Sequence, residues 1–479
     1  MRDPLVTIEH LEVSVSILLV AVAATLHSRK KNIAIKKHPE YRYYLWGLYA
    51  KVLGGVFFTL IYLYYYGNGD TVSFYLSAIP LVNVFMEDPM TYLKALFAEN
   101  TMENRMAYFS PNTGYPLGYI YFDPRTYTLV RIISPLMIIG FKSFLLTTIL
   151  VAMVSYTGVW RLYRMLVRYY PKLRGKLAIA VLFMPSCIFW GSGILKDTFT
   201  FAAMCWYIAA LDSIFFLKKD RIPSWIAVIL SVLVMVAMKP YIFMAIFPAS
   251  ILWLIYNRVA RIRSSLVRLL AIPVGMALLV SISLFTLNSL GDKLDKFSLE
   301  NALQTTVTTQ RDMKRSEQYG SNYFDLGEIE PTWGSVMSKF PAATFAGLYR
   351  PSLLESNNVV MLLAALENTW LLLLSIQVLV RTRVWHLITL IRVNPLLQMC
   401  YLFAIGYAFM IGITTPNFGA LVRFKIPLLP FMLSGLFITS HILDRRRDAR
   451  GRKGRFSFQD FVNGDPDRPP DRPVHKVNA

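Results

Sequence analysis

The chain is 479 residues long, 55% hydrophobic and only 16% charged, with a formal net charge of +21. A soluble protein carries roughly a quarter charged residues, so an ordinary water-exposed surface is excluded. The positive excess does not point to nucleic acid either. Lys and Arg fall in short clusters between apolar runs, the pattern of cytoplasmic loops, where they also attract anionic lipid headgroups.

Apolar runs of about 17 to 25 residues recur from end to end, the length that crosses a hydrocarbon core. The first, Leu11 to Leu26, is preceded by Asp3, Glu9 and Glu12 and followed by Arg29, Lys30 and Lys31. That is the reverse of a signal peptide, so a retained helix entering from outside is expected. The second run, Leu45 to Tyr66, exits into Gly67-Asn68-Gly69-Asp70. A long outer segment, residues 67–140, follows. Its stretches Thr71 to Phe85, Tyr92 to Phe97 and Tyr127 to Ile139 are too polar or too short to span, and suit helices lying in the interface plane. Ser143 to Leu162 returns to a basic inner cluster. Two outward hairpins come next, Leu177 to Leu195 with Thr198 to Leu217, and Trp225 to Met238 with Ile242 to Tyr256. Leu269 to Leu290 leads into a second large outer segment, residues 291–356. Val359 to Val380, Leu396 to Thr414 and Ile426 to Leu443 complete the series.

The expected fold class is therefore all-α: a polytopic transmembrane bundle of about eleven helices with two large outer-face loops carrying interfacial helices. Residues 1–443 form the transmembrane domain, and 444–479, rich in Arg, Asp, Pro and Gly, form a basic cytoplasmic tail expected to be disordered. The basic clusters place the N-terminus outside and the C-terminus inside a cytoplasmic (inner) membrane. Cys187, Cys205 and Cys400 sit within apolar segments as small buried hydrophobes, with neither disulfide nor zinc spacing.

Both large loops are external, so the chemistry is expected on the outer face. Only His10 among the histidines falls near it, which argues against a histidine-dependent triad or zinc site there. Asp70 follows a Gly-Asn-Gly turn at the mouth of the first loop, as a general base or as a helix-capping residue. Lys196, beside Asp197, and Lys239, in Lys239-Pro240-Tyr241, occupy the tips of successive hairpins. Ionisable groups at membrane depth are costly and usually functional. Arg350, in Tyr349-Arg350-Pro351, and Arg423 flank later helix ends, with Glu355, Glu367 and Lys425 nearby. Arginine offers a donor fork that matches phosphate oxygens; snorkelling to headgroups is the plainer reading, and the favoured one for Lys425. Lys196, Lys239, Arg350 and Arg423 are the candidate phosphate or pyrophosphate binders. Asp197, Tyr241, Glu355, Glu367 and Lys425 are candidate supports.

In layout, and in Gly69-Asp70, Pro185-Ser186 leading to Lys196-Asp197, and Arg423-x3-Pro427-x2-Pro430, the chain resembles the GT-C superfamily of membrane glycosyltransferases and the related Wzy-type polysaccharide polymerases. The resemblance implies a polyprenyl-phosphate- or pyrophosphate-linked sugar donor, a saccharide or lipid-linked acceptor, and Asp70 as the catalytic base. The chain departs from better-studied branches in lacking an Asp-Asp or Asp-x-Asp pair in the first loop and a large soluble C-terminal domain. No cofactor is expected, and a divalent metal is not supported. The rival reading is a transporter or flippase of lipid-linked saccharides, with Asp212, Glu367 and the Pro- and Gly-rich fourth helix lining a path.

Overall fold

The computed structural model describes residues 6–67, 69–259, 299–313, 322–382 and 384–451. Among them every regular element is a helix, apart from one isolated bridge between Tyr323 and Asn417. Seven helical stretches are long and apolar enough to cross a membrane: His10–Ala34, Pro39–Tyr65, Phe144–Tyr169, Lys196–Leu217, Arg221–Met238, Val359–Arg381 and Pro395–Thr414. The chain is a helical membrane protein. The expected eighth span, Leu269 to Leu290, and part of the 291–356 loop lie outside the described residues.

The chain divides into two compact units, Met1–Met165 with Leu182–Phe243, and Leu166–Val181 with Met244–Ala479. In the first unit, α1 (His10–Ala34) and α2 (Tyr44–Leu60, continued by a π-turn to Tyr65) precede the polar segment. That segment is not a loose loop. It folds into α3 (Asp70–Glu87), α4 (Pro89–Phe97), α5 (Met102–Tyr108), α6 (Gly118–Tyr121) and α7 (Pro124–Ile139). Three of its five helix starts are capped by side chains, since Asp88, Thr101 and Asp123 each accept a backbone N–H as N-caps, which satisfies donors a helix start leaves orphaned. α3 packs along α7. Tyr92 and Ser134 share a buried hydroxyl–hydroxyl bond of 2.9 Å, and Asn83 donates to the Thr113 carbonyl at 2.9 Å.

α8 (Phe144–Tyr169) and the paired α11 (Lys196–Asp212, with a π-turn to Leu217) and α12 (Arg221–Met238) are the longer apolar helices that follow. Between them the structure departs from the expected fourth helix. Leu177 to Leu195 is no continuous span: α9 (Arg174–Leu182) ends, α10 (Pro185–Phe189) is one short turn, and the backbone then runs irregularly to Leu195. Pro185 has no N–H to continue a helix, and the glycines after it carry no side chain to favour one. Hydropathy alone reads only the apolar composition of this run.

α13 (Pro240–Val259) begins in the first unit and runs into the second, where it is followed among the described residues by α14 (Leu299–Met313), α15 (Trp333–Ser338), α16 (Phe340–Tyr349), α17 (Val359–Arg381), α18 (Val384–Val393) and α19 (Pro395–Thr414). α16 lies against α19 at glycine contacts. A Cβ on Gly412 would stand 1.9 Å from the Ala343 carbonyl oxygen, and one on Gly347 2.0 Å from that of Ala408. Small residues allow such close backbone approach between membrane helices. The expected last span, Ile426 to Leu443, falls almost wholly within α21 (Leu429–Gly451), and a short helix, α20 (Phe418–Phe424), precedes it at an angle of 64°, with Pro427 at the break. α21 continues past Asp444 to Gly451, into the stretch expected to be disordered; the remainder of that tail lies outside the described residues.

Candidate functional site

Asp70 is the exposed first residue of α3. The capping position belongs to Gly69, whose φ of 149° is one that side chains rarely adopt, and whose Cβ would meet the Tyr62 ring at 2.7 Å. Glycine is required there. Asp70 is therefore not the N-cap residue of α3. It sits in the first turn, where a carboxylate complements the positive end of the helix dipole.

Lys196 opens α11 and is half-buried. Its Nζ donates to Thr126 Oγ1 of α7 at 2.9 Å, and the Thr126 hydroxyl donates to Asp123 Oδ2. A carboxylate in the polar segment and an ammonium at the tip of a membrane helix are thus joined through one hydroxyl. Asp123 holds the arrangement by capping α7 at the Arg125 N–H, 3.1 Å away. Next to Lys196, Asp197 turns inward and forms a salt bridge with Lys239, their side chains 2% and 6% exposed. Lys239 also lies over the Tyr241 ring, 5.9 Å from its centroid. The two hairpin tips are tied together by this pair, a contact that their separation in sequence hides.

A second cluster belongs to the other unit. Arg350 forms a salt bridge with Glu355 and lies 5.0 Å from the Phe324 ring centroid and 5.6 Å from that of Phe418. Glu355 also accepts from the Ser352 backbone N–H at 2.8 Å and from its hydroxyl at 2.9 Å. Burial raises the Glu355 carboxyl, but these bonds from Arg350 and Ser352 outweigh it and hold the group below its ordinary value. Lys425 does not snorkel. It is 2% exposed, and Nζ donates to the carbonyls of Leu348 (3.1 Å) and Arg350 (2.7 Å) and to Asn368 Oδ1 (2.9 Å). It sits at the α20–α21 break, where the turn leaves it no path outward. Glu367, half-buried in α17, acts on it electrostatically. Arg423 is half-buried, its guanidinium 5.9 Å from the Phe424 ring centroid.

The named cations and carboxylates thus fall into two groups: Asp70, Lys196, Asp197, Lys239 and Tyr241 in one unit, and Arg350, Glu355, Glu367, Arg423 and Lys425 in the other. Lys239 and Arg350 carry a carboxylate partner, so each presents less net charge to a phosphate than its sequence position implies. Among the described residues, no group of three or more His, Cys, Asp and Glu is placed to hold a metal ion.

Sequence reasoning missed Lys51. It is 3% exposed within α2, and its Nζ donates to the carbonyl of Gly191, in the irregular stretch after α10, and to that of Cys187 at 3.3 Å. Thr198 Oγ1 donates to the Gly193 carbonyl at 2.7 Å. These side chains supply donors to carbonyls that the broken helix leaves unpaired. The signal was present, because a lone lysine inside an apolar run needs a buried acceptor. Thr126, too, is an ordinary threonine in sequence and acquires meaning only through Asp123 and Lys196.

Compared with models of known protein families, with curated proteins and with solved structures, the chain matches none.

Proposed function

We propose that the chain is a membrane glycosyltransferase or polysaccharide polymerase, similar in layout to the GT-C superfamily, acting on the outer face of the cytoplasmic membrane. In this reading about eleven helices span the bilayer, with the N-terminus outside and the tail inside. The donor is a sugar on polyprenyl phosphate or pyrophosphate, the acceptor a saccharide or lipid-linked saccharide, and no cofactor is invoked.

The observation that carries the reading is the Asp123–Thr126–Lys196 chain. It fastens the helical polar segment onto the tip of a membrane helix and sets a half-buried ammonium at that boundary. There an ammonium stabilises the charge that develops on a departing phosphate. Asp70, exposed at the start of the same segment, takes the proton of the attacking hydroxyl as the new glycosidic bond forms and the bond from the anomeric carbon to the phosphate oxygen breaks. Thr126 and Asp123 are positioning residues, because they act through Lys196.

Transport is the second reading. It is favoured by the interrupted run from Pro185 to Leu195 and by the Lys51 ammonium buried against its carbonyls, since broken helices often form transporter sites. Purified protein in proteoliposomes, given a radiolabelled polyprenyl-phosphate-linked sugar and an acceptor, separates the two. The enzyme reading predicts glycosylated product. Movement of the labelled lipid between leaflets without product would replace it with the transport reading.

A further inference from the structure

The α3–α7 segment holds two arginines, Arg105 and Arg131, that pair with no carboxylate among the described residues. Arg131, on α7, donates from Nη2 to the Ala98 carbonyl, and Arg105, on α5, from Nη2 to the Pro116 carbonyl at 2.9 Å. The Nε of each is buried and makes no hydrogen bond. A guanidinium has five N–H donors, so one carbonyl each leaves most of that capacity unused. Aromatic rings flank both guanidiniums. Arg131 lies 5.0 Å from the Tyr127 ring centroid, and Arg105 5.3 Å from Tyr115 and 5.9 Å from Phe122. Both act electrostatically on the buried Tyr121 hydroxyl, and the Tyr121 and Tyr127 rings stand 4.8 Å apart. Tyr127 is 1% exposed, and its hydroxyl also has no partner. Half-burying two cations in an aromatic setting is costly unless a counter-charge arrives.

The same segment shows apolar side chains to its surroundings: Met90, Leu93 and Phe97 on α4, Met102 and Met106 on α5, and Tyr119 on α6 are all exposed. Exposed apolar side chains of this kind bed into the boundary between headgroups and acyl chains, next to the layer of lipid phosphates. Arginine is the residue whose planar fork matches two phosphate oxygens at once.

We propose that Arg105 and Arg131, with the Tyr127 hydroxyl, form a binding site for the phosphate of a lipid. The site is separate from the Lys196 cluster, because Thr126 and Arg131 leave α7 about 140° apart around the helix axis. It holds whether the chain transfers sugars or moves lipids.

The test uses the full chain in neutral maltoside micelles, with ligand-induced thermal stabilisation as readout and farnesyl phosphate, phosphatidylglycerol and inorganic phosphate as probes. Farnesyl phosphate is expected to stabilise the wild type, and Arg105→Gln and Arg131→Gln each to weaken that response at least about tenfold in apparent Kd, as expected when a charge-assisted hydrogen bond is lost. Tyr127→Phe is the decisive companion variant. Its hydroxyl has no partner in the free protein, so the ligand-free melting temperature holds or rises while lipid binding weakens several-fold. Response to farnesyl phosphate alone assigns the site to a monoester such as a polyprenyl phosphate. Response to both lipids assigns it to lipid phosphates in general. Stabilisation by inorganic phosphate alone, or lipid binding unchanged in all three variants, overturns the proposal.

Discussion

Replacing Asp197 by Asn leaves the Lys239 ammonium buried without its carboxylate. The side chains of the pair are 6% and 2% exposed, so water does little to compensate. Two unit charges in contact at an effective dielectric constant of about 20 attract by roughly 4 kcal/mol. Removing one member of a buried pair typically costs about 3–5 kcal/mol. Asp197→Asn, Asp197→Leu and Lys239→Met are each expected in that range, by unfolding in dodecyl maltoside titrated with SDS and followed by tryptophan fluorescence. The double variant Asp197→Leu with Lys239→Met removes both charges and is expected within about 1–2 kcal/mol of wild type, because replacing a buried pair by apolar groups is often nearly neutral. The cycle then gives a coupling energy of several kcal/mol. If the single variants lie within about 0.5 kcal/mol of wild type, or if the double variant equals the sum of the singles, the pair does not hold the two hairpin tips together.

Lys425→Met strips the donor from two carbonyls and from Asn368. With about 1–3 kcal/mol for each orphaned buried acceptor, partly offset by sparing a lysine its burial, a loss of at least about 2 kcal/mol is expected in the same assay. Gly412→Ala places a methyl group against the Ala343 carbonyl. Overpacking of this kind costs about 1–3 kcal/mol, read as a lowered melting temperature with unchanged helical content by circular dichroism. Glu355 has a folded pKa below its ordinary 4.5. A depressed carboxyl stabilises the fold above the unfolded value and loses that contribution as pH falls through the folded one. Thermal stability should therefore drop on acidification below pH 4.5, and Glu355→Gln should be less stable at neutral pH while lacking that part of the drop.

The helices that stand as uninterrupted spans were legible because apolar length is a local property. The expected Thr198 to Leu217, Val359 to Val380 and Leu396 to Thr414 agree with the observed elements to within a few residues. The caps of the polar segment were not read: Asp70 was the one candidate named, while Gly69 holds that position and Asp88, Thr101 and Asp123 cap the helices that follow. The fourth helix was misread because its composition is apolar, while Pro185 and the distant Lys51 decide its conformation. The sequence also placed Lys196, Asp197 and Lys239 at hairpin tips. It did not reveal that Asp197 faces Lys239 and that Lys196 faces Thr126, because these partners are set by packing between helices far apart in the chain. Lys425 shows the converse. Near a helix end a lysine is ordinarily free to snorkel, but the bend at Pro427 turns this one toward the carbonyls of residues 348 and 350.

The central claim, that Asp70 accepts the proton of an attacking hydroxyl, is met most directly by the transfer rate of Asp70→Asn. Asn keeps the shape of the side chain, and at an exposed first-turn position the lost dipole interaction costs only about 0.3–1 kcal/mol, so the variant should fold and be recovered as the wild type is. Transfer from a polyprenyl-phosphate-linked sugar in proteoliposomes is predicted to fall by about 10²–10⁴-fold, the usual consequence of losing a general base. Transfer at a rate near that of the wild type would contradict the account and move the search for the base to Asp123.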